Sequence, residues 1–209
     1  MTIKPVASKP VTAKDVAALK ASLDTAAPLA ALPLPWRLGV AVLGVALMSA
    51  SSWLDVPMYP VPMTLQTLAV MVIAGLCGGG LGGLIVAAWL AVGAVGAPVF
   101  AGGESGVEAL AGPTGGYLGG MLLAAVACGR LMERARWRGW GSMLAVCALG
   151  HAMVLGMGWA RLAQMIGAGE AWSSGVAPFL VGAAVKSVAA VALIKLADRV
   201  LTRETTRPR

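Results

Sequence analysis

Charged residues are scarce in this chain of 209 residues. Only 12% of the residues are Asp, Glu, Lys or Arg, whereas 58% are hydrophobic and the mean hydropathy is +0.82. Soluble domains carry about 25% charged residues, so a compact globule of this composition could not cover its surface with polar side chains. The composition excludes an ordinary soluble enzyme and a disordered protein, and it predicts an integral protein of the lipid bilayer.

Metal ligands and catalytic motifs are scarce as well. The chain has one histidine, His151, and three cysteines that all lie within apolar runs, without a Cys-x-x-Cys pair. Zinc and haem sites have almost nothing to build from, and we expect no cofactor. No recognisable nucleophile motif supports an intramembrane hydrolase. The sequence also lacks Gly-x-x-x-x-Gly-Lys-Ser/Thr, so the chain is not expected to be an enzyme and any ATP hydrolysis would belong to separate proteins.

Six hydrophobic runs are present, and they predict an all-α membrane domain of six transmembrane helices over residues 36–201. The second and third runs are short for a bilayer core of about 30 Å, which needs about 20 helical residues. The glycines between them predict a helical hairpin. The runs are Leu38–Trp53, Met63–Gly75, Leu84–Val95, Pro113–Leu131, Met143–Ile166 and Phe179–Ala197.

Polar segments flank this domain on both sides. Residues 1–35 are interpreted as a cytoplasmic tail, and residues 202–209 as a basic C-terminal tail. Apolar residues recur at helical spacing in Val11–Leu32, so a helix lying on the membrane surface is the alternative for that stretch.

Basic residues are distributed unevenly along the chain. Sixteen Lys and Arg against nine Asp and Glu give a formal charge of +7, which in a soluble protein would suggest a nucleic-acid partner. With the N-terminus inside, the three outer segments Asp55–Pro62, Gly96–Gly112 and Gly167–Ala177 contain no Lys or Arg. This bias predicts that both termini are cytoplasmic, and no nucleic-acid partner is expected.

Two cations are not explained by this topology. Lys186 lies within the sixth run, where a cation costs about 2.5–3.5 kcal/mol on insertion scales. Acidic residues near the last three runs lie only at their interfaces, as Glu133 and Asp198 do. Lys186 is therefore a candidate partner for an anionic ligand, with a structural ion pair as the alternative. Arg161, near the outer end of the fifth run, could reach outer acidic residues or contact the same ligand.

Polar side chains near the predicted outer side complete a candidate pocket. Hydroxyls and amides there can read a neutral hydrogen-bonding group of a ligand. With apolar, glycine-rich walls and one or two cations, such a pocket suits a small amphipathic acid. These side chains are Thr64, Gln66, Thr67, Thr114 and Tyr117.

Four motifs, in order and with compatible spacing, resemble the BioY family, the biotin-specific S components of energy-coupling factor (ECF) transporters. They are VPMTLQTLAV at Val61–Val70, GAVGAPVFAGG at Gly93–Gly103, GPTGGYLGG at Gly112–Gly120 and PFLVGAAVK at Pro178–Lys186. The similarity covers residues 38–200.

The resemblance implies a function and partners. We expect a six-helix S-component bundle in the bacterial cytoplasmic membrane that captures biotin with high affinity and translocates it. A membrane coupling (T) subunit and a pair of cytoplasmic ATPases are the implied partners, although some members of the family are proposed to work without dedicated coupling subunits. An S component for another small vitamin and a non-transport assembly subunit are the alternatives.

The resemblance also assigns roles to individual residues. It aligns Lys186 with a lysine that would pair with the biotin carboxylate, and it places Phe100 in an outer lid. Thr64 and Gln66 could address the ureido group, and Tyr117 could stack on the biotin rings or hydrogen-bond to them. The candidate binding residues are therefore Lys186, Tyr117, Gly116, Thr64, Gln66, Phe100 and Arg161.

Two of these motifs carry further detail. Gly116, at a predicted helix start, allows close approach of the backbone to a ligand, with helix packing as the alternative. Ala183 stands three positions before Lys186, where the family commonly has an acidic residue. One polar contact is therefore expected to be absent or replaced.

Overall fold

A computed structural model describes residues 27–30, 32–134 and 139–205 of the chain. Most of the helix considered over Val11–Leu32 lies outside these residues. So do residues 136 and 138 of the predicted basic inner loop and the last four residues of the predicted C-terminal tail.

Helices make up most of the described chain. Two short strands, β1 (Asp55–Val56) and β2 (Met63–Thr64), pair antiparallel with Asp55 opposite Thr64, and a 3₁₀ turn covers Ala101–Gly103. The helices are α1 (Leu34–Ser52), α2 (Gln66–Ala94), α3 (Gly106–Ala111), α4 (Gly115–Met132), α5 (Trp140–Ile166), α6 (Ala168–Gly175) and α7 (Phe179–Thr205).

Five of these helices, α1, α2, α4, α5 and α7, are long and apolar enough to cross a membrane. The prediction of a mostly helical chain with several long apolar helices is therefore confirmed. Two connections differ from expectation. The predicted outer loop at residues 167–177 contains the helix α6, and the proline-rich connector after α1 contains the paired strands.

The second and third hydrophobic runs lie together in α2, which bends sharply at Gly78. The backbone of Gly78 has φ +70° and ψ −179°, a combination that favours glycine because it carries no Cβ. A Cβ on Gly82 would lie 3.6 Å from Ala74 Cα. Residues eight positions apart in a straight helix are separated by about 12 Å. The chain therefore folds back at Gly78, and residues 66–77 and 79–94 form two segments.

Close glycine contacts hold this bend against α4. A Cβ on Gly129 would lie 2.5 Å from the carbonyl carbon of Gly78 and 2.5 Å from the nitrogen of Gly79, so the two backbones touch. The Gly79 N–H donates to Glu133 Oε1 at 2.8 Å, and Leu29 N–H donates to Leu76 O at 3.2 Å. We call the end of the bundle formed by these six residues the turn end.

Helices α1 and α7 are the most exposed of the five long helices. Leu43 of α1 and Val181 of α7, for example, are 72% and 75% exposed. In α1, Gly44 packs on Ile85 of α2, whereas Gly39 has open space around it. The apolar outer faces of both helices suit contact with lipid or with another membrane helix.

Candidate binding cavity

A cavity of about 650 Å³, including open solvent at its mouth, lies at the opposite end of the bundle from the turn end. It is enclosed by the chain before α2, by α2, α4, α5 and α7, and by the loop that follows α2. Its lining residues are Val61, Pro62, Thr64, Gln66, Thr67, Phe100, Ala101, Thr114, Tyr117, Leu118, Met121, His151, Val154, Leu155, Phe179, Ala183 and Lys186.

Lys186 lies deep in this cavity. It is seven residues from the start of α7, which corresponds to about 10 Å along the helix. Its Nζ donates to the main-chain oxygen of Thr64 at 2.5 Å. Because Thr64 lies two residues before the first residue of α2, that helix begins near the depth of Lys186. This explains why the second hydrophobic run is too short to span a bilayer.

Thr64 and Gln66 form a closed pair beside Lys186. Thr64 Oγ1 donates to Gln66 Oε1 at 2.8 Å and accepts from the Gln66 main-chain N–H at 3.3 Å. Gln66 is only 2% exposed, and its Nε2 has no hydrogen-bond partner among the described residues. A buried amide donor without a partner costs about 1–3 kcal/mol, so this group favours a ligand with an acceptor.

His151 also lines the cavity, although it was not among the predicted binding residues. Its ring is 4% exposed, and Nδ1 lies 2.9 Å from Cys147 O and 3.1 Å from Ser187 Oγ. Nε2 is buried and has no partner within the described ranges. We call Thr64, Gln66, His151 and Lys186 the floor cluster.

The pattern that could have identified His151 is helical spacing. His151, Val154 and Leu155 share one face of α5, and Phe179, Ala183 and Lys186 share one face of α7. These faces of α5 and α7 both line the cavity. Ala183 lines it with a methyl group, at the position where a polar contact was expected to be absent or replaced.

Tyr117 and Phe179 form the wall near the mouth. The Tyr117 hydroxyl donates to Gly175 O at 2.8 Å, which ties α4 to the end of α6. Its ring packs on Gly158 and lies 6.3 Å from the ring of Phe179. Tyr117 thus presents an aromatic surface to the cavity while its hydroxyl proton is engaged elsewhere.

Phe100 closes another side of the cavity. It is 1% exposed, and it packs edge-to-face on Trp89 with ring centroids 5.1 Å apart. The Trp89 Nε1 and the Ser52 hydroxyl both donate to Val99 O, at 3.2 Å and 2.8 Å. The loop that carries Phe100 is therefore anchored to α1 and α2.

Two predicted site residues are not brought into the cavity. A Cβ on Gly116 would meet Met157 O at 2.4 Å, so this glycine serves the contact between α4 and α5. Arg161 donates through Nη2 to Ala111 O, which fixes α5 to the end of α3. Neither residue is among those that line the cavity.

Most of the other residues that line the cavity are apolar. Among the described residues that line it there is no Asp or Glu. Lys186 is thus a cation whose neighbours in the cavity are neutral. The arrangement can hold a small ligand with an apolar body and one strongly hydrogen-bonding end.

Comparison with known proteins gives consistent matches. Residues 25–203 match the sequence model of the BioY family. A biotin transporter BioY from Thermotoga maritima is 38% identical over 112 residues, which are 54% of this chain and 66% of that protein. A probable biotin transporter BioY from Pyrococcus horikoshii is 34% identical over 155 residues, which are 74% of this chain and 91% of that protein.

A solved structure has the same fold. The crystal structure of the S-component for biotin from an ECF-type ABC transporter matches with a TM-score of 0.72 and 25% sequence identity. The match covers 78% of this chain and 90% of the other.

Proposed function

Because this chain belongs to the BioY family, as its four motifs predicted, we propose that it captures biotin and carries it across a bacterial cytoplasmic membrane as the S component of an ECF-type transporter. The observation that carries the proposal is the cavity. It combines apolar walls with a hydrogen-bonding floor, as small-ligand sites usually do. Biotin has the matching character, since its ring and chain are apolar and its cyclic urea is polar.

The same proposal includes six membrane spans over residues 36–201, with both termini cytoplasmic. The reversal of α2 at Gly78 supports it, because each α2 segment can then cross part of the bilayer. The lack of Lys and Arg in the three outer segments supports the orientation. The cavity would then open outward, and the turn end would face the cytoplasm.

Transport needs partners in this proposal. The chain has no nucleotide-binding loop, so a pair of cytoplasmic ATPases and a membrane coupling subunit would supply the energy. The exposed face of α1 offers the coupling subunit a surface, and lipid covers such a face equally well. Uptake of labelled biotin into proteoliposomes with and without the coupling subunits would show whether they are required.

Calorimetry on the purified protein tests the proposed ligand. We expect tight binding of biotin and no binding of thiamine or riboflavin under the same conditions. The absence of heat with biotin at micromolar protein would overturn the proposal. Heat with another vitamin alone would reassign the cavity to that ligand.

A further inference from the structure

The floor cluster can take only one end of an extended biotin molecule. Lys186 Nζ bonds to Thr64, and Thr64 bonds to Gln66, so these groups are contiguous. The cyclic urea and the carboxylate of biotin lie at opposite ends of the molecule. The sequence predicted that Lys186 contacts the carboxylate and that Gln66 contacts the urea, and these two predictions therefore conflict. The donors and acceptors of the cluster distinguish between them.

The hydrogen bonds of His151 determine its tautomer. Cys147 O, 2.9 Å from Nδ1, can only accept, so Nδ1 carries a proton. The Ser187 hydroxyl, 2.8 Å from Ala183 O, donates there and leaves its oxygen free to accept from the same Nδ1–H. In the neutral imidazole, Nε2 is then an unprotonated acceptor. A proton on Nε2 would place a second cation beside Lys186, in a cavity without an acid among its described lining residues.

The orientation of the Gln66 amide follows in the same way. Thr64 Oγ1 already accepts from the Gln66 main-chain N–H, so its own proton goes to Gln66 Oε1. The remaining amide nitrogen, Nε2, is a donor without a partner among the described residues. Lys186 Nζ adds further N–H groups, since only one is needed for Thr64 O.

The floor cluster thus presents donors from Gln66 and Lys186 and one acceptor from His151. A carboxylate has only acceptors, and it would face the lone pair of His151 Nε2 without a proton between them. A cyclic urea has a carbonyl oxygen for the donors and an adjacent N–H for the acceptor. We infer that His151 is a specificity-determining residue whose Nε2 accepts a hydrogen bond from a urea N–H of the ligand. The urea then lies on the floor and the carboxylate points to the mouth. This inference rests on the proposed function.

Biotin methylated at one or the other urea nitrogen tests the hydrogen bond. His151→Phe keeps an aromatic ring but removes the acceptor. Because the ring still fills the space, the variant does not favour a methylated ligand simply by making room for the methyl group. We expect His151→Phe to weaken biotin about 10- to 100-fold. The isomer methylated at the nitrogen that faces His151 has no N–H to donate there. Its affinities for the wild type and for His151→Phe should therefore agree within about threefold. Val154→Ala, one turn along α5, removes only apolar surface from the cavity wall. The loss of affinity on methylation of the ligand should be the same in this variant as in the wild type.

The outcomes separate the inference from the proposed function. If His151→Phe weakens biotin and both methylated isomers equally, His151 does not accept from the urea. If the wild type binds biotin and both isomers equally well, the inference is also wrong. If the wild type does not bind biotin at all, the proposed function itself has failed. Should His151→Phe not fold, His151→Leu allows the same comparison.

Nuclear magnetic resonance on the unmodified sequence gives a second readout. His151 is the single histidine of the chain, so ¹⁵N-histidine labelling without a polyhistidine tag yields one imidazole. We expect Nε2 to be unprotonated in the ligand-free protein and to shift when biotin binds, while Nδ1 stays protonated. A protonated Nε2 in the free protein, or an unchanged Nε2 signal on binding, would overturn the inference.

The orientation of the ligand has its own test. With the carboxylate at the mouth, biotin methyl ester should bind within about threefold of biotin, because the lost charge makes no buried contact. If the methyl ester instead binds the wild type much more weakly than biotin does, and Lys186→Ala binds both equally, the carboxylate lies on Lys186. That result would contradict the inferred orientation.

Discussion

At the turn end, polar main-chain groups near the bend have partners. The Gly79 N–H, freed where α2 breaks at Gly78, donates to Glu133, and Leu76 O accepts from Leu29. At the floor of the cavity the opposite holds, since Gln66 and His151 each keep a buried nitrogen without a partner among the described residues. Both regions lie in the same apolar bundle, so the difference is not one of solvent access.

This difference separates the structural role of each end from its binding role. Each unpartnered buried group destabilises the ligand-free protein by about 1–3 kcal/mol, and a ligand that supplies the missing partner recovers that energy. Satisfied groups at the turn end gain nothing from a ligand. Substitutions at the turn end should therefore change stability alone, whereas substitutions on the floor should change binding and stability in opposite directions.

The largest effect is expected where two backbones touch. Gly129→Ala places a methyl group 2.5 Å from the backbone of Gly78 and Gly79, which cannot move without opening the bend. We expect a loss of about 3 kcal/mol in the free energy of unfolding, measured by denaturation in detergent. Gly119→Ala in the same helix is the matched control, because its Cβ meets only Met157 Cε at 3.5 Å. Equal destabilisation of the two variants would contradict the close contact.

Gln66→Leu tests the floor. It removes the unpartnered donor, so biotin should bind about 30-fold more weakly, which corresponds to about 2 kcal/mol. The ligand-free variant should be as stable as the wild type or more stable, since an unsatisfied polar group is lost. Calorimetry and thermal unfolding measure the two quantities. Gln164→Leu, at an exposed position of α5, should change neither affinity nor stability. Parallel losses of affinity and stability in Gln66→Leu would show that the side chain is structural.

Tyr117→Phe should behave like a turn-end substitution although its ring lines the cavity. The hydroxyl bonds to Gly175 O, so its removal is expected to cost about 1 kcal/mol of stability. Affinity for biotin should change little, because the aromatic surface remains. Tyr59, which is 94% exposed, provides the control Tyr59→Phe. A large loss of affinity with unchanged stability would instead assign the Tyr117 hydroxyl to the ligand.

Much of the fold could be predicted because local composition determines where the long helices lie and local glycines determine where the chain reverses. Runs of apolar residues set the positions of the long helices, and the glycines around Gly78 marked the reversal in α2. The start of α2 at the depth of Lys186 could not be predicted, since it depends on a contact between residues 122 positions apart. The helix α6 was missed because small and polar residues at 168–175 resemble a loop.

The candidate site was predictable in part for a similar reason. Lys186, Thr64 and Gln66 stood out because each is a polar residue in or beside an apolar run. His151 shares that property, but its partners Cys147 O and Ser187 become visible only when α5 and α7 pack together. Gly116 and Arg161 were expected at the ligand, but their contacts are with Met157 O and Ala111 O, and neither lines the cavity. Those contacts form only when α3, α4 and α5 pack together, so the sequence alone did not indicate them.

The smallest expected effect concerns the charge at the turn end. Glu133 Oε1 accepts from Gly79 N at the start of the second α2 segment, where a carboxylate also interacts favourably with the helix dipole. Glu133→Gln keeps the acceptor and removes the charge, so we expect a loss of about 0.5 kcal/mol in stability, smaller at high salt. Glu104→Gln, an exposed residue outside the helices, should show no loss. Biotin affinity should be the same in both variants. A change in affinity for Glu133→Gln would mean that the turn end and the floor are coupled, and the separation of roles between the two ends would then be wrong.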